Sequence, residues 1–138
     1  MAKLVLKNCD IVVNGVDFSD HCNNVEIQLK KNSIDTTNFS GGGKELIAGL
    51  KEDAFVIDFQ QDFAAAEVDA TLWPLYNNEN EFVVTVKPTS AAVSATNPAY
   101  TATCILLEYM PLSGKVGDLS TTKVTFPTQR TGVTRATS

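Results

Sequence analysis

The sequence predicts a mainly β fold, a β-sandwich or barrel with one short flanking α-helix. Two observations predict it. Short runs of alternating apolar residues recur at close spacing along most of the 138 residues, separated by turn-forming residues. One stretch, residues 53–76, changes its hydrophobic period midway. Phe55, Ile57 and Phe59 alternate, which places them on one face of a strand with Val56 and Asp58 on the other. Ala65, Val68, Leu72 and Leu75 then recur three or four apart, the single stripe of a short helix. Asp62 offers an N-cap oxygen for that helix, and Pro74 is expected to end or distort it near Leu72 or Trp73.

The other elements follow in order. Leu4 and Leu6 share a face of a short alternating stretch at residues 3–7. A second stretch at residues 10–13 runs into Asn14-Gly15, the strongest dipeptide signal for a tight hairpin, with Val16, Asp17 and Phe18 returning. Residues 19–22 suit a turn or a single helical turn that Ser19 caps. Val25, Ile27 and Leu29 alternate with Glu26, Gln28 and Lys30 in a half-buried strand.

Residues 32–44 differ: two large apolar side chains and three successive glycines predict a long loop, of the kind that is usually functional. A helical turn is expected at residues 45–50. Residues 77–80 turn the chain, residues 82–87 form a strand ended by Pro88, and residues 89–98 form a second loop. Residues 100–109 are apolar on both faces, which predicts a strand central between two layers. Gly114 and Gly117 permit a turn, and Thr122, Val124 and Phe126 point inward from a last strand. The whole is one domain, residues 1–138, ending in a polar arm at residues 128–138. The expected core is Phe55, Ile57, Phe59, Val68, Leu72, Val84, Leu106, Val124 and Phe126.

Composition narrows the function. A hydrophobic content of 43% is too high for a disordered chain. A net charge of -5 argues against affinity for nucleic acid or anionic lipid through a basic surface, though nucleic acid can slide past such a chain. Nothing at the N-terminus reads as a signal peptide, and no apolar run reaches the length of a membrane span. Cys9, Cys22 and Cys104 are odd in number and lack metal-site spacing, which predicts free thiols in a reducing cytosol.

Catalytic and metal patterns are weak. His21 is the only histidine, so no multi-histidine metal site can form within one chain, and it reads as a turn residue without a metal. Asp58, Asp62, Glu67 and Asp69 lie close in sequence, but capping and a solvated helix face account for them without acid–base chemistry. The Gly41-Gly42-Gly43-Lys44 run fails as a phosphate cradle, since no strand runs straight into it and Glu45 follows the lysine. Trp73 and the phenylalanines read as core. No enzyme and no cofactor are expected.

Two stretches resemble the tail tube (major tail) proteins of long-tailed bacteriophages. The first, residues 25–59, holds D-T-T-N-F-S-G-G-G-K-E and then A-G-L-K-E-D-A-F before an acidic, aromatic strand. The second is the closing Y-M-P-L-S-G-K-V-G-D-L-S-T-T-K-V-T-F-P at residues 109–127. With the helix they cover about half the chain. The resemblance implies a virion structural protein whose subunits join as a hexamer per ring, in the family's pattern, into stacked rings that form a hollow conduit for DNA. It implies contacts with other tail proteins, no membrane partner, and synthesis in the bacterial host cytoplasm. By position, residues 32–44 correspond to the family's subunit-joining loop, which makes Ile34, Asp35, Phe39, Gly41, Gly42, Gly43 and Lys44 the expected interface residues. The sequence also admits a capsid decoration or minor tail protein, and a carbohydrate- or protein-binding β-sandwich. The last would carry an exposed aromatic platform, whereas Trp73 and Tyr76 lie on the expected core helix.

Overall fold

A computed structural model describes residues 3–138. These residues form ten strands and one α-helix. β1 (Asp10–Val13) and β2 (Val16–Asp17) form the hairpin expected at Asn14-Gly15. Both turn residues have positive φ, 51° and 81°, the backbone of a type I′ turn whose twist matches that of the flanking strands. A single 3-10 turn, Ser19–His21, leads into β3 (Cys22–Gln28). Ser19 does not cap that turn. Its hydroxyl instead accepts the Ile11 N–H at 3.0 Å, tying the turn to β1.

β6 (Ala54–Gln60) is the centre of a three-stranded antiparallel sheet, β3–β6–β9, where β9 is Thr121–Pro127. Register explains its core. Ile57 lies between Val25 and Val124, and Phe55 between Ile27 and Phe126. The period-two apolar positions of three strands therefore form continuous rows on one face. The facing sheet has the order β10–β8–β7–β1–β2, with β7 at Glu81–Lys87, β8 at Ala99–Ile105 and β10 at Thr134–Ala136. Its rows include Val13–Val84–Ala102 and Phe82–Cys104. Phe18 packs edge-on to Phe59, Phe59 to Phe126, and Phe126 to Phe82, with ring centroids 5.6, 6.1 and 5.6 Å apart. This aromatic chain spans both sheets. All nine expected core residues are buried.

α1 (Val68–Asn77) connects β6 to β7 and places Val68, Leu72 and Leu75 in the same core. It begins later than the apolar stripe suggests, and Ala65 is exposed. The reason lies at Ala66, whose φ of 64° turns the chain out of helical geometry. Asp62 still organises this entry: Oδ1 accepts the Ala64 N–H at 2.9 Å and its carbonyl accepts the Asp69 N–H at 3.1 Å. Pro74 does not end the helix. It removes the bond to the Ala70 carbonyl, but Ala70 is exposed and water can serve that oxygen.

Several expectations are corrected. The stretch at residues 3–7 forms no strand, and Leu4, Val5 and Leu6 are exposed. β8 is internal to its sheet, with Ala102, Cys104 and Leu106 buried on one face; on the other Ala99 is buried but Thr103 and Leu107 are exposed, so among the described residues no full second layer covers that face. Strand structure ends at Ile105. The polar C-terminal arm pairs along the sandwich. Thr128 bridges Cys104, and β10 pairs with β8 through Thr134 to Thr101, so the chain crosses from one sheet to the other and closes one corner of the sandwich. Val133 is buried at that crossing.

The largest correction concerns residues 31–51. β4 (Lys31–Asp35) and β5 (Leu46–Lys51) pair antiparallel as a separate two-stranded sheet. The expected long loop is thus a β-hairpin arm whose tip is residues 36–45, and the expected helical turn at residues 45–50 is a strand. Asn32 falls at an irregularity in the register, opposite Gly49, where a Cβ would stand 3.0 Å from the Asn32 carbonyl oxygen. The glycine lets the two backbones close there.

Candidate assembly surfaces

The arm has no core of its own. Every residue of β4 is exposed, and in β5 only Gly49 is half-buried. Ile34 faces Ile47 across the ribbon. Leu46, Ala48 and Leu50 lie on the opposite face by alternation. Apolar side chains therefore point outward on both faces, with Leu50 80% exposed. An isolated two-stranded ribbon is marginal in water, and its stability comes from covering at least one face.

The tip is held locally by polar bonds. The Thr36 N–H donates to the Glu45 carbonyl at 2.9 Å, and the Glu45 N–H donates to the Thr37 hydroxyl at 2.9 Å. The Thr37 N–H donates to Asp35 Oδ1 at 2.8 Å, and hydrogen bonding by Thr37 keeps the Asp35 carboxyl below its ordinary value. Phe39 is fully exposed at the end of the arm. A Cβ placed on Gly41, Gly42 or Gly43 meets nothing within 4 Å, so the single subunit makes no steric demand for these glycines. Lys44 is exposed beside them. The seven expected interface residues thus share one projecting element: Ile34 and Asp35 on β4, the other five at the tip.

Asp53 clamps the base of the arm. It is buried, and its carboxylate accepts the Lys30 N–H through Oδ1 and the Val133 N–H through Oδ2, each at 2.9 Å. Its carbonyl accepts the Thr128 N–H at 3.2 Å. Burial raises the Asp53 pKa, but the two backbone donors and the nearby charges of Lys51 and Lys31 outweigh it and leave the carboxyl below its ordinary value. Glu52 adds an N–H bond to the Lys30 carbonyl at 2.8 Å. No pattern in the sequence singles out Asp53, because its donors lie 23 and 80 residues away.

The carboxylates grouped in the sequence separate in space. The Asn24 amide donates to Asp58 Oδ2 at 3.2 Å, and the Tyr109 hydroxyl donates to Asp69 Oδ1 at 2.8 Å. Asp62 and Glu67 instead converge on His21, with Oδ2 and Oε2 lying 3.0 and 3.5 Å from Nε2. Asp20 Oδ1 is 2.8 Å from His21 Nδ1. The hydrogen bond with Asp20, then that with Asp62, raises the His21 pKa. His21 reads as a turn residue in the sequence, because Asp62 and Glu67 lie 41 and 46 positions away, beyond the reach of any spacing signal.

Trp73 is exposed rather than core, and its ring centroid lies 6.2 Å from that of Tyr76, also exposed. Positions 73 and 76 lie off the stripe of Val68, Leu72 and Leu75 and so face solvent. Cys9, Cys22 and Cys104 are all free thiols. Among the described residues, no helix is long and apolar enough to cross a membrane.

This architecture is that of solved tube proteins. The structure of the SPP1 tail tube superposes with a TM-score of 0.77, at 9% identity, over 99% of this chain and 80% of that one. The chain has the tail tube fold. A chain of the sheath–tube complex of an extracellular contractile injection system, PVC, in its extended state superposes at 0.68, with 9% identity, over 99% of this chain and 93% of the other. A chain of the PVC sheath/tube terminator gives 0.70, with 11% identity, over 98% and 97%. No protein-family model and no curated protein sequence matches the chain. The tail tube fold is therefore carried here by core pattern and topology, at identities where few individual residues coincide.

Proposed function

We propose that this chain is a tail tube subunit, a non-catalytic virion structural protein that self-assembles into stacked hexameric rings around a hollow conduit for DNA. The observation that carries the reading is the arm at residues 31–51, apolar on both faces and uncovered, on a sandwich that follows the SPP1 tail tube over nearly its whole length. Covering such a ribbon with a neighbouring copy would bury Ile34, Ile47, Leu46 and Leu50, and Phe39 at the tip is an anchor for a pocket on that neighbour. Gly41, Gly42 and Gly43 let the tip backbone lie against it, with Asp35 and Lys44 at the rim. The unpaired edge of β3 offers a second joining surface, which a closed ring would occupy. The acidic balance suits a lumen that DNA crosses without adhering. Other tail proteins would cap the tube, and the subunit would be made in the host cytoplasm. The test is negative-stain microscopy of the purified protein: rings or tubes are expected, and a permanently monomeric protein at high concentration would sink the reading.

The exposed Trp73–Tyr76 pair favours a second reading, a β-sandwich binding module. That protein would sediment as a monomer, and Trp73 fluorescence would respond to a carbohydrate or peptide ligand.

A further inference from the structure

His21, Asp62 and Glu67 come from three separate places: the turn after β2, the segment leaving β6, and the residue preceding α1. Their ligand atoms converge on one point of the surface, all within 4.8 Å of one another. With the His21 Nδ1–H donated to Asp20, the Nε2 lone pair faces Asp62 Oδ2 and Glu67 Oε2. In that tautomer three electron-pair donors point at one another, an arrangement that a metal cation among them satisfies at all three. A proton on Nε2 can point at only one of the two carboxylates. Among the described residues no lysine or arginine pairs with Asp20, Asp62 or Glu67.

The separations match neighbouring ligand atoms on one metal ion. Bonds of about 2.0–2.2 Å to nitrogen and oxygen place adjacent ligands about 3.0–3.5 Å apart. Nε2 stands 3.0 Å from Asp62 and 3.5 Å from Glu67, and all three ligand atoms lie within 4.8 Å of one another. Asp62 divides its two oxygens without conflict, Oδ1 to the Ala64 N–H and Oδ2 to the cluster.

We propose that His21 Nε2, Asp62 and Glu67 bind a divalent first-row transition-metal ion, with Asp20 orienting the imidazole from behind. One imidazole with two carboxylates suits Zn2+, Co2+ or Mn2+, whereas Ca2+ and Mg2+ favour oxygen-only shells. The half-exposed carboxylates leave the remaining positions to water. The Asp20–His21 pair is the usual outer partner that fixes a ligating histidine's tautomer. The site joins the turn ahead of β3 to the start of α1, so its effect is to fasten the helix to the sandwich. Cys22 is adjacent in sequence, but its sulfur is not among the ligand atoms that converge.

The test uses the full chain, stripped with chelator, near pH 7.5. Isothermal titration with Zn2+ should give saturable binding of one ion per chain and a raised melting temperature. The Co2+ form should show visible ligand-field bands and no thiolate charge-transfer band. Glu67→Gln and His21→Asn should weaken binding at least about tenfold, and Asp20→Asn by about tenfold or more. Cys22→Ser should leave it unchanged. Absence of saturable Zn2+ or Co2+ binding at about 1 mM, which corresponds to about 4 kcal/mol, overturns the proposal. So does binding unaltered in Glu67→Gln and His21→Asn, or a thiolate band. If a variant fails to fold, the Co2+ spectrum of the parent decides alone.

Discussion

Gly132 and Asp53 are packed so closely that a Cβ on the glycine would stand 2.6 Å from the Asp53 carboxylate. The glycine also has a φ of 72°, where an L side chain is strained. The contact lies at the corner where the C-terminal segment crosses between sheets and the arm leaves the sandwich. Gly132→Ala should therefore destabilise the fold by about 2–4 kcal/mol, from positive-φ strain together with overpacking against a carboxylate that two backbone donors hold in place. Urea unfolding followed by Trp73 fluorescence measures it, and an unchanged midpoint would mean the corner relaxes freely.

Asp53 also sets a pH dependence. Its native pKa lies below the ordinary 3.8, so its carboxylate stabilises the fold above that value and the contribution disappears as pH falls through the lower native pKa. The stability gap between the parent and Asp53→Asn should be constant near neutrality and close in strong acid. Parallel urea titrations from neutral to acid pH test the sign; a gap that widens in acid would contradict it.

Phe59 touches Phe18 and Phe126 and is wholly buried. Phe59→Ala should cost about 3–5 kcal/mol, through lost transfer energy and a cavity that β6, fixed between β3 and β9, cannot collapse. A variant that melts with the parent would remove the aromatic chain from the account of stability.

Deletion of residues 38–43 removes no core side chain, since all six positions are exposed. The shortened subunit should keep its far-UV spectrum and melting temperature yet form no tubes. Phe39→Ala should weaken assembly with almost no change in subunit melting. Polymerisation of the deletion variant at the parent's rate would show that the arm's tip is not the joint.

The thiols should resist modification in the native state. Burial pushes both Cys22 and Cys104 up to about 12, leaving little thiolate at neutral pH. Thiol-reagent titration should be slow natively and reach three groups per chain on denaturation. Fast native reaction at Cys104, which is fully buried, would require the β8 corner to open.

The sequence by itself determined the sandwich and its core. Phe55, Ile57 and Phe59 on β6, Val124 and Phe126 on β9, and Val68 with Leu72 on α1 each repeat with the period of their element, and burial of one face imposes that period. Asn14-Gly15 was legible for the same local reason, since a type I′ turn asks for positive φ at two adjacent residues. The tertiary structure alone decided what periodicity does not encode. β4 and β5 are exposed on both faces, so no alternation marks them: polar β4 and the glycine-rich tip read as a loop, and apolar β5 as a helical turn, until the two backbones pair. Trp73 looked like core by residue type, and only the rotation of α1 turns it to solvent. The Asp53 bond to Val133 spans 80 residues and the His21 contact with Asp62 spans 41, distances over which sequence spacing carries no geometry. These groups meet because two sheets and one helix pack in one register, and that register is a property of the folded chain.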